Sequence, residues 1–227
     1  MILIMRLKND MGLLAAYEAI LAAGAGAAHA SAVAEMRQAF EGRTGAFGPE
    51  DPWFEARSNA FWDDTMTAQG FLARVVDALP EAARSWVQPL VRAHRGLFRA
   101  EESESKWTMV DVWSGAAFLV DSPEGGLREA LDASAGSLID ARLVGRESPL
   151  SIDLLPGAIF HPPDASEAIE KVIEVARGQK LGRQDTLDAL LRMERNLRSH
   201  ARVKPSYAYR SSELAKKIKT PELPKVP

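Results

Sequence analysis

The chain contains no cysteine among its 227 residues. This absence excludes disulfides, thiolate catalysis, cysteine-based zinc sites and iron–sulfur clusters. It also fits a protein of a reducing compartment. No uncharged apolar run reaches about 18 residues, so the sequence predicts no membrane-spanning helix.

The chain also lacks a strong excess of either charge. Its formal net charge is −3, with 46% hydrophobic and 26% charged residues. This composition is typical of soluble globular domains and makes disordered, collagenous and coiled-coil classes a poor match. Because the net charge is small, no global field draws the whole molecule to nucleic acid. The length is that of one or two domains.

The N-terminus has some features of a secretory signal. Arg6 and Lys8 precede an apolar run, and residues 28–30 resemble a small-residue cleavage site. However, Asp10 stands at the start of that run and Glu18 lies inside it. Charges there are a poor match to a signal peptide. We therefore expect an Ala-rich helix in a cytoplasmic protein.

The hydrophobic pattern predicts an α+β protein with four regions. Residues 1–96 read as helices, and residues 97–162 as a small antiparallel β-barrel or bent sheet. Residues 163–210 read as a helical pair packed on the rest, and residues 211–227 as an extended basic tail. We expect one compact unit, because each element must bury its apolar face against another.

Several elements can be placed from their periodicity. Spacings of three and four predict one helix from about Ser58 to Leu79 and another from Asp185 to Ala201. Pro80 suits the first position of a further helix. Short alternating runs separated by turn residues predict strands. These runs are Leu97–Glu102, Lys106–Trp113, Ala117–Asp121, Leu138–Val144, Leu150–Leu155 and Ala158–His161.

No recognisable catalytic or metal-binding motif is present, so the sequence assigns no catalytic residue, cofactor or metal. There is no Gly-x-Ser-x-Gly elbow and no complete phosphate-binding loop. The histidines stand apart, at positions 29, 94, 161 and 200. Asp63 and Asp64 are adjacent and would point about 100° apart on a helix, so they cannot both face one substrate atom. We interpret them as acids near a helix N-terminus, where the dipole favours negative charge.

The C-terminal section is basic, with a net charge of +8 from Arg177 onwards, whereas residues 98–162 carry −6. Its basic residues recur every three or four positions and so line one helix face. A protein surface or a nucleic acid could bind such a face, and a simple solvated face remains an alternative. The candidate contact residues are the row Arg192, Arg195, Arg198 and Arg202, followed by Lys204 and Tyr207.

The last residues form a separate candidate for partner contact. Pro221, Pro224 and Pro227 repeat every three residues, which favours polyproline II. Such a segment suits an aromatic-lined groove on a partner, although it could also be an end without function. Lys216, Lys217 and Lys219 would add attraction to an acidic surface.

The middle of the chain is similar to a known kind of small domain. The relevant segments are His94-Arg-Gly-Leu-Phe-Arg99, Met109-Val-Asp-Val-Trp-Ser-Gly115, Ala117-Phe-Leu-Val120 and Gly136-Ser-Leu-Ile-Asp-Ala-Arg-Leu-Val144. Residues 97–161 thereby resemble the small SH3-like barrels of uncharacterised bacterial proteins. The resemblance implies a barrel fold and brings no catalytic residue or activity with it.

These observations leave three functional hypotheses. The first is a non-enzymatic cytoplasmic regulatory or adaptor protein that binds a protein partner through its basic helix and tail. The second is a nucleic-acid-binding regulator that uses the same helix, with affinity falling steeply as salt rises. The third is an enzyme with a dispersed site, which requires a pocket holding Asp63 or His94. The oligomeric state does not follow from the sequence.

Overall fold

A computed structural model describes residues 11–103, 106–121, 131, 136–147, 150–200 and 203–214. It shows an α+β fold, in which helices precede and follow one antiparallel sheet. The predicted fold class is therefore confirmed. Four of the candidate contact residues lie outside the described residues: Arg202, Lys216, Lys217 and Lys219.

The N-terminal part consists of helices connected by short turns. Their apolar cluster includes Ala16, Ile20, Leu72 and Trp86, and it extends to Val144 of the sheet. The helices are therefore packed against the sheet rather than separate from it. Their bounds are α1 Leu13–Gly24, α2 Ala30–Thr44, α3 Phe54–Met66, α4 Gln69–Val75, α5 Glu81–Arg84 and α6 Val87–Val91.

The single helix predicted from Ser58 to Leu79 is divided into α3 and α4. The Thr67 hydroxyl donates to the carbonyl oxygen of Asp63 at 2.8 Å, and Ala68 has an extended backbone with ψ of 114°. A hydroxyl bonded to the preceding turn competes with regular helical pairing. The predicted stripe is nevertheless buried at Phe61, Leu72 and Val75.

The sheet curls into a half-barrel. Its order is β3-β2-β1-β4-β5, with β6 paired to β4 beside β5, and all pairs are antiparallel. The edge strands β3 and β5 approach each other, which shows the curl. The strands are β1 His94–Ser103, β2 Lys106–Asp111, β3 Ala117–Asp121, β4 Leu138–Glu147, β5 Leu150–Leu154 and β6 Ile159–Phe160.

The two faces of the sheet have different neighbours, because side chains alternate along each strand. Phe98, Met109 and Ile139 belong to the apolar cluster within the curl. Leu97 and Leu138, one position away, instead join the cluster formed by the C-terminal helices. The sheet thus packs against apolar clusters on both faces, although Leu119 of the edge strand β3 is 53% exposed.

The C-terminal helices are α7 Ser166–Gly178, α8 Arg183–Ser199 and the short α9 Pro205–Ala208. A 3-10 turn, Ser211–Glu213, follows α9. Helix α8 contacts α2, α7, α9 and β1, so it lies at the centre of the molecule. This position explains why Asp188 and Glu194 on α8 are buried together with its leucines.

Within the described part of the chain, no single helix is both long and apolar enough to cross a membrane. Only Leu13–Gly24 and Ala27–Thr44 taken together meet those two criteria, and the pair is bent by 76°.

Candidate functional site

The three described members of the predicted arginine row lie on α8 and are engaged with the chain itself. Arg192 donates to the carbonyl oxygen of Arg43 at 2.6 Å. Arg195 is half-buried against the loop at Gly45. Arg198 donates to Glu194, which is itself buried. These three side chains therefore contribute to packing, and their charges are only partly available to a partner.

The sequence-predicted Lys204 and Tyr207 lie elsewhere, beside a surface groove. The groove runs between α7 and the segment 203–214 and has a volume of about 800 Å³. Lys204 and Ser206 line it, whereas Tyr207, which follows Ser206 in α9 and is 64% exposed, is not one of the lining residues. Its apolar lining comprises Ala168, Val172, Val175, Pro205 and Tyr209, and its charged lining comprises Asp164, Glu167, Lys171, Lys204 and Arg210.

One wall of the groove is attached to the interior by a tyrosine. The hydroxyl of Tyr209 lies 2.7 Å from Nδ1 of His161, which has no exposed surface. Burial lowers the pKa of His161 to about 4, although Glu194 and Asp140 act in the opposite direction. The imidazole is therefore neutral near pH 7, and its tautomer decides which of the two groups donates.

A buried ion pair lies next to this histidine. Arg57, 1% exposed, donates to Glu194 at 2.5 Å and to the carbonyl oxygen of Leu191. Burial alone would raise the pKa of Glu194, but Arg57 and Arg198 outweigh it and lower that pKa. The pair therefore keeps its charges and connects α3 to α8 inside the molecule.

A second buried titratable group lies between α1, α3 and the turn after β5. Asp63 has no exposed surface and lies in the last turn of α3, so its predicted position near a helix N-terminus is wrong. It accepts from the hydroxyl of Tyr17 at 3.0 Å and from the backbone N–H of Gly157 at 2.9 Å. Burial raises the pKa of Asp63 to about 7, against the opposing effects of Arg142, Tyr17 and Gly157.

The neighbouring Asp64 belongs to a continuous series of alternating charges. Arg142 of β4 lies 2.5 Å from Asp64 of α3, which lies 2.5 Å from Arg43 of α2. Arg43 lies 3.1 Å from Asp188 of α8. Asp188 lies 2.6 Å from Arg95 of β1, which lies 2.8 Å from Asp140 of β4. This ion network, as we call it below, connects helices of both ends of the chain to the sheet.

Sequence reasoning identified Asp63 and Asp64 but missed their partners. Asp140 and Arg142 occupy alternate positions in the apolar run Leu138–Val144 of β4, and Arg95 lies at the start of β1. Charged residues in such a run are a signal of buried pairing, since an unpaired buried charge is very costly. The signal does not tell which residues pair, because Arg142 and Asp64 are 78 positions apart.

His94, the other residue named for an enzyme, forms a small cluster at the start of β1. Its Nε2 is 3.2 Å from Oδ2 of Asp111, and the same oxygen accepts from the Ser114 hydroxyl at 2.8 Å. In a nucleophilic triad the serine would contact the histidine, whereas here it contacts the carboxylate. The cluster therefore lacks the triad geometry, and Asp63 has no surface that a substrate could reach.

The part of the chain that the structure describes contains no group of three His, Asp or Glu side chains arranged to hold a metal ion. Comparison with protein-family models, curated proteins and solved structures found no significant match for this chain. A function must therefore be inferred from the geometry of the groove and of the buried charges.

Proposed function

We propose that this protein is a non-enzymatic, cytoplasmic regulatory or adaptor protein that binds an extended segment of a partner protein in the groove between α7 and residues 203–214. The observation that carries the proposal is the groove itself, about 800 Å³ in volume, with apolar and charged lining residues. Grooves of mixed lining are common sites for peptide recognition, since apolar contacts supply affinity and charges fix orientation.

One exposed apolar side chain of the groove and one next to it in the chain support this surface as a contact area. Val175 on α7 is 36% exposed, and Tyr207 on α9 is 64% exposed. Tyrosine is enriched at protein interfaces, because its ring buries a large area while its hydroxyl remains hydrogen-bonded. The hydroxyl of Tyr209 attaches the segment that carries Tyr207 to His161, so little ordering is needed when a partner binds.

The charges around the groove differ in their availability. Lys171 pairs with Glu167 at 2.6 Å, and Arg210 with Glu213 at 3.5 Å. Lys204 is exposed and forms no ion pair with any other described residue. We therefore infer that a carboxylate of the partner segment contacts Lys204.

The nucleic-acid hypothesis has weaker support from the same contacts. Arg192, Arg195 and Arg198 are occupied by a carbonyl oxygen, by packing on a loop and by a carboxylate. A backbone-binding face would need these guanidinium groups free for phosphates. The proposed partner is accordingly a protein.

The proposal is tested with purified full-length protein carrying a photo-crosslinker at Tyr207, incubated in native lysate with nuclease. We expect one discrete crosslinked protein. Purified, that protein should bind with affinity reduced at least about tenfold by Val175→Glu and by Lys204→Glu, the loss of a buried contact or of a close charge pair. Arg92→Glu, an exposed charge reversal at the end of α6, should bind normally.

Binding that is unchanged in both groove variants would contradict the proposed site. Capture that disappears with nuclease would contradict the protein-binding function and favour nucleic acid. Equal weakening in the Arg92→Glu control would mean that net charge rather than the groove governs binding.

A further inference from the structure

Asp63 is the point at which three separate pieces of the chain meet. The carboxyl group belongs to α3, the Tyr17 hydroxyl to α1 and the Gly157 N–H to the turn between β5 and β6. The approach at Gly157 is so close that a Cβ there would lie 2.6 Å from Oδ2 of Asp63. Water therefore has no access to the carboxyl group unless one of these pieces moves.

The positive and negative charges of the ion network are equal in number without Asp63. The ion network contains three arginines and three aspartates, each within 3.1 Å of an opposite charge. Arg142 faces Asp63 electrostatically, but it donates to Asp64. An ionised Asp63 would be a fourth anion with no cation of its own among the described residues.

The groups that face Asp63 are therefore Tyr17 of α1, Asp64 of α3, Arg142 of β4 and the Gly157 backbone. Burial and Asp64 oppose its ionisation, whereas Arg142, Tyr17 and Gly157 favour it. The unfavourable contributions are larger, which is the direction expected for an acid with no solvent contact.

We propose that Asp63 is a proton-operated switch for the docking of α1: a proton on Asp63 keeps α1 in place, and loss of that proton favours an opened state in which α1 has moved and water reaches the carboxylate. The remaining attachments of α1 are chiefly apolar, through Ala16 and Ile20, together with one bond from Trp86 to the carbonyl oxygen of Met11 at 2.7 Å. None of these titrates near neutral pH.

The pH dependence of α1 opening follows from the difference between the pKa values of Asp63 in the closed and opened states. In the opened state Asp63 titrates as an ordinary carboxyl near pH 4, and in the closed state near pH 7. The closed state therefore holds the additional proton between these values. Opening of α1 should increase about tenfold per pH unit as pH rises through this range and become constant above it.

The test is amide hydrogen exchange of α1 in the full chain, corrected for the intrinsic pH dependence of exchange. Between about pH 5 and about pH 7, the opening equilibrium of α1 should rise about fiftyfold. Amides of α7 provide an internal reference and should not follow this course. Asp63→Asn should abolish the pH dependence, whereas Asp77→Asn, at an exposed site, should retain it.

A pH-independent opening of α1 in the wild-type protein would overturn the proposal, as would an unchanged pH dependence in Asp63→Asn. If Asp63→Asn does not fold, the Asp63 carboxyl is titrated by carbon-13 NMR in the wild-type protein. A midpoint close to 7 supports the switch, and a midpoint near 4 overturns it.

Discussion

Two buried titratable groups, Asp63 in α3 and His161 after β6, have similar surroundings. Each has no exposed surface, and each forms a hydrogen bond with a tyrosine hydroxyl, from Tyr17 or Tyr209. Burial raises the pKa of the acid to about 7 and lowers that of the base to about 4. The same physical cause thus favours the neutral form of both groups, because transfer of a charge out of water is costly.

The comparison teaches that similar burial can give opposite dependences of stability on pH. Folded Asp63 holds a proton between about pH 4 and 7 that the unfolded chain has lost, so its contribution to stability falls as pH rises. Folded His161 lacks a proton that the unfolded chain holds between about pH 4 and 6.5, so its contribution rises. In the wild-type protein the two contributions oppose each other.

The largest expected effect comes from removing the charge beside His161. Glu194→Gln leaves buried Arg57 without its counter-ion, which should lower the free energy of unfolding by about 3–5 kcal/mol. The substitution should also lower the pKa of His161 further, since Glu194 has the largest of the effects that raise it. Urea denaturation and proton NMR of the imidazole measure the two results. Unchanged stability would show that the Arg57–Glu194 contact carries little energy.

Removing Asp63 or His161 singly should have the next largest effect, which is on the pH dependence of stability. In His161→Gln, the free energy of unfolding should fall by about 1.4 kcal/mol per pH unit from about pH 4 to 6.5, because only Asp63 remains. In Asp63→Asn it should rise at a similar rate over the same range, because only His161 remains. Denaturation curves at several pH values provide the slopes. Identical slopes in both variants would contradict the comparison.

The close packing at Gly157 predicts a smaller loss. An added Cβ would lie 2.5 Å from the carbonyl oxygen of Asn59 and 2.6 Å from Oδ2 of Asp63. Gly157→Ala should therefore lower the free energy of unfolding by about 1–3 kcal/mol. Gly145→Ala is the matched control, since its nearest neighbour would be 4.0 Å away. Equal losses in both variants would mean that the contact at Asp63 is unimportant.

The smallest predicted effect concerns the two tyrosine hydroxyls. Tyr17→Phe and Tyr209→Phe should each cost about 1 kcal/mol, the net value of one hydrogen bond. Only Tyr17→Phe should raise the pKa of Asp63 further, because its hydroxyl helps to lower that pKa. Carbon-13 NMR of the carboxyl group in both variants tests the difference. The same titration midpoint in the two would show that Tyr17 has no influence on Asp63.

Much of the fold could be predicted from the sequence, since it depends on local periodicity. The strand predicted at Ala117–Asp121 has those bounds in the structure, and α8 at Arg183–Ser199 begins and ends two residues before the predicted Asp185 and Ala201. The break between α3 and α4 was missed, because it depends on a side-chain bond from Thr67 that propensity does not encode. The candidate groove was only partly anticipated, through Lys204.

The sequence by itself determined the alternation of buried and exposed residues, the absence of thiol chemistry and the basic character of the C-terminal section. Those properties follow from residue type and spacing alone. Only the tertiary structure decided which charges are paired, because contacts such as Arg57 with Glu194 join residues 137 positions apart. It also decided that Asp63 and His161 lie out of water, and burial, rather than residue type, sets the protonation state of both.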